Sequence, residues 1–580
     1  MLQLLLGGSG SGKTTLLYQR IRARAEKGEK SILLVPEQFT SSTEGRIYRE
    51  LGDALSGMVE SFSFTSLAEK ILSTEGGAAV QTLSDAGRAV LVRRALEELQ
   101  DNVHYYHRHR RSAAFCQMAA QTIDELKSAG LSGQQLAQLA GACGAESGKL
   151  SELALIFQGY ETLLARSGMD PSDRLELAGA RLEVALARHS LPEFLRDRAV
   201  FIDEFDTFNA PKKRLLGAML AALPSVTVAL CDDGAPLLPG DLSLFSGAKQ
   251  VAAQLRQLAR KNGAEVAVPQ LLRKDLRHRN APGLAAVAEL LETGSCTADA
   301  PADEVRLFAA PSREEEARAA AGAIRRLMRQ GVRCGKIAVV CRDIAKYRAA
   351  VRYEFRMAEI PLYCDEPTTP EFSAPATAVR ALLEIARGAD LTENLTTLAK
   401  TGLCALSEEQ VCALENYAYT WAPTAAAWRE KFERSPKGFG EQELTEEDLR
   451  NRERAEHARA LLVGAVDAFR AKVRGVNAEA ISRAVYFCLK TLGAEEQQAA
   501  QVKAIRAGRG IPAAEEAARE WNVVMGLLNE MAHLLGEQTV TVAEYEDLFG
   551  LLLRSSDLGH IPQTLDAVVL ASAGKMRLDA

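Results

Sequence analysis

The sequence lacks three features that would each assign it to a class of protein. Its ten cysteines include no C-x-x-C pair, which argues against a zinc or iron–sulfur framework, and scattered thiols suit a reducing cytoplasm. No apolar stretch reaches the roughly 18 residues of a membrane span, and no charged and then apolar start resembles a signal peptide. The net charge of −6 gives no overall basic field for nucleic acid. We therefore expect a cytoplasmic protein without a membrane partner, in which any DNA site is a local groove.

The rest of the composition is ordinary for a globular protein, with 47% hydrophobic and 25% charged residues in a chain of 580. This length exceeds a single core and predicts roughly three to five domains. Short β-rich runs alternate with long helical patterns, which predicts parallel sheets with strands buried on both faces. The expected strands are Leu2–Leu6, Ser31–Val35, Val59–Ser63, Val200–Asp203, Val226–Cys231, Val305–Ala309, Ile337–Cys341 and Ala567–Ala571.

These patterns divide the chain into two α/β domains, each interrupted by a helical insertion. The expected division is 1–82 with 189–292, an insertion at 83–188, a linker at 293–304, 305–371 with 556–580, and an insertion at 372–555. The linker is small, acidic and Pro-containing. The sequence ends soon after the last expected strand, so the second α/β domain looks incomplete, and we expect a piece of a longer protein.

The most informative motif is Gly-Gly-Ser-Gly-Ser-Gly-Lys-Thr-Thr at residues 7–15, directly after Leu2–Leu6. It fits the P-loop pattern G-x-x-x-x-G-K-[ST] in its usual context of strand, glycine loop and helix. Backbone N–H groups and the helix N-terminus would surround the phosphates of ATP, Lys13 would reach the β- and γ-phosphates, and Thr14 would ligate Mg²⁺. The expected cofactor-binding residues are Gly7, Gly8, Ser9, Gly10, Ser11, Gly12, Lys13, Thr14 and Thr15. The alternative is a glycine-rich turn that binds no ligand.

A second motif, Val200-Phe201-Ile202-Asp203-Glu204, resembles a Walker B strand. Asp203 would hold Mg²⁺ through water, and Glu204 would polarise the water that attacks the γ-phosphate. Arg342, after the strand Ile337–Cys341, could reach the γ-phosphate across a domain cleft as an arginine finger does. A surface salt bridge is the alternative role for Arg342.

Two loops and one basic run are candidate nucleic-acid contacts. Val35–Thr40 and Ser61–Thr65 follow expected strands and interleave polar groups with Phe, which suits single-stranded DNA, although both could simply pack on the surface. The run His104–Arg111 is dense in basic and aromatic residues and could contact a nucleic-acid backbone. A metal site at its histidines lacks an acidic or Cys partner nearby, and a solvated helix end is the simpler interpretation.

The order of these motifs resembles a superfamily 1 DNA helicase core, and closer features narrow the resemblance. Val35–Thr40, Ser63–Ala68, Leu414-Glu415-Asn416-Tyr417 with Trp428, and Ile561–Val568 resemble the B subunits of AddAB-type ATP-dependent helicase/deoxyribonucleases. This resemblance runs through the whole chain. It implies an α/β fold of two RecA-like P-loop parallel-sheet domains, each with a mainly helical insertion.

The resemblance also implies a function. The family complex processes double-strand breaks for recombinational repair, and a separate A subunit is its motor. The B subunit holds DNA and in some members recognises the Chi sequence in the single strand. The family's nuclease domain and iron–sulfur cluster lie C-terminal to the region that this chain matches, so neither is expected here.

Carried over by position, the DNA contacts implied by the resemblance are Gln38, Thr40, Phe64, and Phe205 or Phe208. Ser66 and Glu69 depart from Chi-reading relatives, which have a basic and an aromatic residue there. Glu204 departs because many relatives have Gly after the Walker B Asp. The chain also lacks the adenine-reading glutamine segment and, at Asp232–Gly234, the coupling glutamine of active helicases.

Three functions remain open from the sequence. The first is an ATP-binding, DNA-scanning subunit that depends on a partner motor. The second is an autonomous superfamily 1 helicase, and the third is a P-loop ATPase clamp without strand recognition. Salt-dependent binding of single-stranded DNA separates the first two from the third.

Overall fold

A computed structural model describes residues 1–76, 82–110, 112–144, 147–295, 304–364, 369–440, 443–536, 539–556, 558 and 566–573. Within them, six parallel strands form one sheet in the order β3-β2-β4-β5-β1-β6. The strands are β1 (Leu2–Gly7), β2 (Ser31–Leu34), β3 (Val59–Phe62), β4 (Ala199–Ile202), β5 (Ser225–Cys231) and β6 (Gln270–Leu272). The first five confirm expected strands, whereas β6 was not expected.

Helices cover both faces of this sheet, as its apolar strands require. Leu4 and Leu6 of β1 pack into the core on one face, and Leu5 packs with Leu17 and Ile21 on the other. The helices next to the strands are α1 (Lys13–Ala25), α2 (Thr40–Leu51), α3 (Asp53–Ser56), α4 (Phe64–Glu75), α10 (Ala210–Ala222), α11 (Ser246–Lys261) and α12 (Pro282–Thr293).

The two long helical regions share one hydrophobic core. Val90 and Phe157 of the first region belong to the same buried cluster as Leu382 and Leu552 of the second. The first region contains α5 (Asp85–Glu98), α6 (Ala113–Ser128), α7 (Gly133–Ala140), α8 (Ser147–Ser167) and α9 (Pro171–Ala187). The second contains α15 (Ala374–Arg387), α16 (Leu391–Lys400), α17 (Glu408–Trp421), α18 (Glu446–Lys472), α19 (Ala478–Thr491), α20 (Ala494–Arg509), α21 (Ile511–Leu535) and α22 (Val542–Ser555).

Helix α9 ends the first helical region but packs on the sheet domain. Its Leu175, Ala178 and Leu182 lie in the same core as Leu4 and Leu6 of the sheet. If the domains were divided by their hydrophobic cores, α9 would belong to the sheet domain. The boundary at residue 188 stays a prediction.

A buried ion network fixes the start of α9. Lys127 Nζ donates to Asp170 Oδ2 at 2.8 Å and to Asp173 Oδ2 at 2.8 Å, and the Tyr160 hydroxyl donates to Asp170 Oδ1 at 2.6 Å. Asp170 is only 1% exposed. Burial opposes the charge of Lys127, but the two carboxylates raise its pKa above the usual value. The network joins α6, α8 and α9 through paired and hydrogen-bonded charges.

A second parallel sheet follows, with β7 (Ala338–Cys341), β8 (Leu362–Cys364) and β9 (Val568–Ser572) in the order β7-β9-β8. Helices α13 (Arg313–Arg329) and α14 (Ile344–Met357) accompany it. The predicted α/β class with parallel sheets and helical insertions is confirmed. Ile561–Leu565, within the family resemblance, and Arg111 lie outside the described residues.

The strand expected at Val305–Ala309 is wrong. These residues adopt no regular structure, and Leu307 and Phe308 are exposed. A strand needs a neighbour for its N–H and C=O groups, and none of the described strands pairs with this segment. In the described part of the chain, no helix is both long and apolar enough to cross a membrane.

Candidate nucleotide and DNA site

The glycine loop stands between β1 and α1, as the motif predicts. Gly10 and Gly12 have φ values of 77° and 85°, a left-handed conformation that glycine adopts without a Cβ clash. The Ser11 N–H donates to the Gly8 carbonyl at 3.3 Å, which closes the turn before the helix begins at Lys13. The backbone therefore forms the bend that a P-loop needs.

Lys13 and Ser11 show how this loop fits a phosphate ligand. Lys13 Nζ donates to the carbonyls of Gly7 and Gly8, each at 2.8 Å, so the ammonium lies over the loop. Ser11 Oγ is buried, and no hydrogen-bond partner for it is present in the described structure. Thr14 is half-buried in the first turn of α1, and Thr15 is exposed. A phosphate cradle with a lysine at its mouth and an unsatisfied hydroxyl fits ATP.

The Walker B pair lies at the same edge of the sheet. Asp203 follows β4, is buried, and donates its N–H to the Leu34 carbonyl of β2 at 3.1 Å. The Glu204 N–H donates to Asp203 Oδ1 at 3.0 Å, which orients that carboxylate. Strand β5 separates β4 from β1, so Asp203 and the P-loop stand at carboxyl ends two strands apart.

Asp232 directly follows β5, the strand that lies between β4 and β1. Its N–H donates to the Gly7 carbonyl at 3.2 Å, and its Oδ1 accepts from the Gly234 N–H at 2.7 Å. Burial raises the pKa of this carboxyl above its usual value. Asp232 therefore ties the end of β5 to the first residue of the P-loop.

Glu204 has φ of 68°, a left-handed conformation that costs a residue with a Cβ about 1–2 kcal/mol. We expect Glu204→Gly to leave the free energy of unfolding unchanged or to raise it by up to about 1 kcal/mol, because the released strain exceeds the added flexibility of the unfolded chain. Any ATP turnover that depends on the carboxylate should be lost. Urea unfolding and a steady-state ATPase assay measure the two effects.

The matched control is Glu204→Gln, which keeps the Cβ and the strain but removes the charge. It should lose turnover without a gain in stability. A Glu204→Gly protein destabilised by more than about 1 kcal/mol would show that the side chain supports the fold.

The segment after β6 that contains Leu276 and Arg277 lies against the P-loop, a contact that sequence reasoning missed. The Leu276 N–H donates to the Gly10 carbonyl at 2.9 Å, and Arg277 Nη1 donates to Ser9 Oγ at 3.1 Å. A Cβ at Gly10 would come within 2.6 Å of Arg277 Cβ, and one at Gly8 within 2.8 Å of Glu292 Oε1. Arg277 is thus a candidate phosphate contact from a residue far along the chain.

The expected DNA contacts lie where β2, β3 and β4 end. Gln38 is exposed, and Thr40 is half-buried with its hydroxyl donating to the Glu37 carbonyl at 2.9 Å. Phe64, Phe205 and Phe208 are only 2%, 8% and 4% exposed and pack on one another. Their buried rings offer no open face on which a base could stack. A DNA role for the three phenylalanines stays a prediction.

Comparison with known proteins decides the family. The model described as "ADDB, N-terminal" matches residues 4–288, which include β1–β6 and the P-loop. The chain is 30% identical to the B subunit of the ATP-dependent helicase/deoxyribonuclease of Desulforudis audaxviator and 29% identical to that of Moorella thermoacetica. Each alignment covers 99% of this chain. The chain belongs to the AddB family. It spans about half the length of the curated relatives it matches, 51% in both cases.

Two other predicted sites of this AddB-family chain lie on elements outside the six-stranded sheet. Arg342 follows β7 of the second sheet and is exposed, and its side chain makes no ion pair among the described residues. In the basic run, the backbone N–H groups of His104, Tyr105 and Tyr106 donate to the Glu152 carboxylate. Both assignments, arginine finger and nucleic-acid contact, stay predictions.

Proposed function

We propose that this chain is an ATP-binding, DNA-binding, helicase-like subunit of a complex that processes double-strand breaks by helicase and exonuclease action during recombinational repair. The observation that carries the proposal is the joint position of Gly7–Thr15 and Asp203-Glu204 at one edge of a parallel sheet in an AddB-family chain. Ligands of such sheets bind at the carboxyl ends of the strands. The relatives are named as B subunits of an ATP-dependent helicase/deoxyribonuclease, which supports the same proposal.

The residues present divide the work on ATP and Mg²⁺. The backbone of Gly7–Gly12 and the Lys13 ammonium bind and neutralise phosphate oxygens. The Thr14 hydroxyl and the Asp203 carboxylate are the oxygen donors that would hold Mg²⁺. Glu204 would orient the attacking water, and Arg277 and Arg342 would supply further positive charge to the phosphates. No iron–sulfur cluster is expected in this portion.

The proposed partners are a motor A subunit, in a heterodimer, and DNA in the form of double-stranded ends and a single strand in a channel. Gln38 and Thr40 would contact the single strand, with scanning for a Chi-like signal as the finer role. Ser66 exchanges hydrogen bonds with Ser63 in the capping box at the start of α4. Its hydroxyl supplies no positive charge in place of the basic residue that Chi-reading relatives have at this position. We propose that the complex acts in the cytoplasm, which the scattered thiols favour.

An autonomous helicase is the second candidate, and Glu204 favours it. A carboxylate directly after the Walker B Asp can polarise the attacking water, so hydrolysis stays possible, whereas a glycine has no side chain for this role. The P-loop clamp without strand recognition remains the third.

Binding of single-stranded DNA by the purified chain tests the proposal. We expect fluorescence anisotropy of a labelled oligonucleotide to report binding whose affinity falls steeply with salt, because phosphate contacts release counterions. ATP binding, measured in the same preparation by calorimetry, should persist without DNA. A folded chain that binds neither ligand would contradict the proposal, and one that binds ATP alone would favour the clamp.

A further inference from the structure

Lys212 holds a cation above the buried phenylalanine cluster of Phe64, Phe205 and Phe208. Its Nζ lies 5.7 Å from the ring centroid of Phe64 and 5.6 Å from that of Phe205, which is cation–π range. Asn209 caps α10 by accepting from the Lys212 N–H at 3.1 Å, so the position of the lysine on the helix is fixed. Two rings and a capped helix thus place this ammonium beside the ends of β3 and β4.

Lys212 differs from two other lysines with little exposed surface, Lys127 and Lys249, in its counter-charge. Lys127 Nζ lies 2.8 Å from Asp170 and from Asp173, and Lys249 Nζ lies 3.2 Å from Asp233 and from Asp241. For Lys212, the described residues supply only ring contacts and no ion pair, and its charge is influenced by Glu37 at longer range. Burial lowers the pKa of Lys212. A half-desolvated ammonium without a carboxylate gains most from an anionic ligand.

The position of Lys212 separates it from the nucleotide phosphates. Phe64 follows β3 and Phe205 follows β4, while the P-loop follows β1. Two strand spacings separate β4 from β1, or about 10 Å, and β3 lies further still. Exposed Gln38 stands on the same side, after β2. Asp203 and Glu204 also follow β4, so it is the distance from the P-loop that would make an anion at Lys212 a second ligand, other than the phosphates that the loop would bind.

We infer that Lys212 binds a phosphodiester group of single-stranded DNA that crosses the carboxyl ends of β2, β3 and β4. This role of Lys212 rests on the proposed DNA-binding function. It also changes the role of Phe64 and Phe205, which were expected to contact DNA directly. Phe64 and Phe205 act as positioning residues that hold the ammonium toward the strand, while Lys212 makes the contact. Because a phosphate contact reads no base, Lys212 contributes affinity without sequence preference.

The test compares Lys212→Met, which keeps an apolar stem on the rings, with the wild-type chain. Anisotropy of a labelled oligothymidylate over a salt series should show roughly tenfold weaker binding, as loss of one charge-assisted contact predicts. The slope of log affinity against log salt should fall in magnitude by about 0.7. Lys212→Arg should retain most of the affinity, and ATP binding should not change in either variant.

Lys213→Met is the matched control, because Lys213 stands in the same helical turn without a ring contact in the described structure. Equal losses in both variants would overturn the inference in favour of a diffuse charge effect. Unchanged DNA binding by folded Lys212→Met would overturn it as well and leave the proposed function intact. Displacement of the oligonucleotide by inorganic phosphate at constant ionic strength would overturn it in favour of a free-anion site. Absence of DNA binding by the wild-type chain would instead contradict the proposed function.

Discussion

Lys13→Ala is expected to weaken ATP binding by at least about a hundredfold while the chain stays folded. The ammonium donates to the Gly7 and Gly8 carbonyls, so it stands where phosphate oxygens would enter. Charge-assisted hydrogen bonds to two phosphates are together worth about 3 kcal/mol, which corresponds to this loss. Calorimetric titration with ATP measures the affinity, and a thermal melt measures the fold.

Lys27→Ala is the control for this prediction, because Lys27 is an exposed lysine just after α1. It should bind ATP as the wild type does. Undiminished ATP binding by Lys13→Ala would remove the P-loop assignment, and a collapse in folded yield would mean that Lys13 supports the core.

Asp170→Ala should give the largest loss of stability among the polar residues considered, about 3 kcal/mol or more. The carboxylate is 1% exposed and accepts from Lys127 and Tyr160, so its removal leaves a buried hydroxyl unsatisfied and an ammonium half-paired. Hydrogen–deuterium exchange should show amides of α8 and α9 exchanging roughly a hundredfold faster.

The matched variant is Asp173→Ala. The Asp173 side chain is 34% exposed and also pairs with Lys127. Its cost should be about 1 kcal/mol, because Asp170 remains to pair with Lys127. If both variants have the same effect, burial of Asp170 is not what makes the network strong. Unchanged exchange in Asp170→Ala would show that apolar packing alone holds α9.

Local patterns predicted the strands and the P-loop because both depend on neighbouring residues. The apolar run before Gly7 and the glycines of the loop specify a strand and a turn without reference to the rest of the chain. The three-residue β6 and β8 are too short to give such a pattern. Val305–Ala309 has the pattern but no neighbouring strand among the described ones, and pairing is a property of the fold.

Contacts between distant segments account for what the sequence did not reveal at the site. Arg277 and Glu292 reach Ser9 and Gly8 from more than 260 positions along the chain. Polar loops with Phe suggested open stacking platforms, yet Phe64, Phe205 and Phe208 bury one another. Ligands bind at the carboxyl edge of such a sheet, but the basic residues between β6 and α12 could not be assigned to that edge from the sequence, because β6 itself gives no pattern.

Unwinding of a tailed duplex by the purified chain tests the central claim most directly, with ATP hydrolysis followed in the same reaction. We propose that this chain binds ATP and DNA but relies on a partner motor. We therefore expect ATP and the single-stranded tail both to be bound while the duplex stays intact at all ATP concentrations. ATP-dependent strand separation that single-stranded DNA stimulates, and that Lys13→Ala and Glu204→Gln abolish, would contradict the account and make the chain an autonomous helicase.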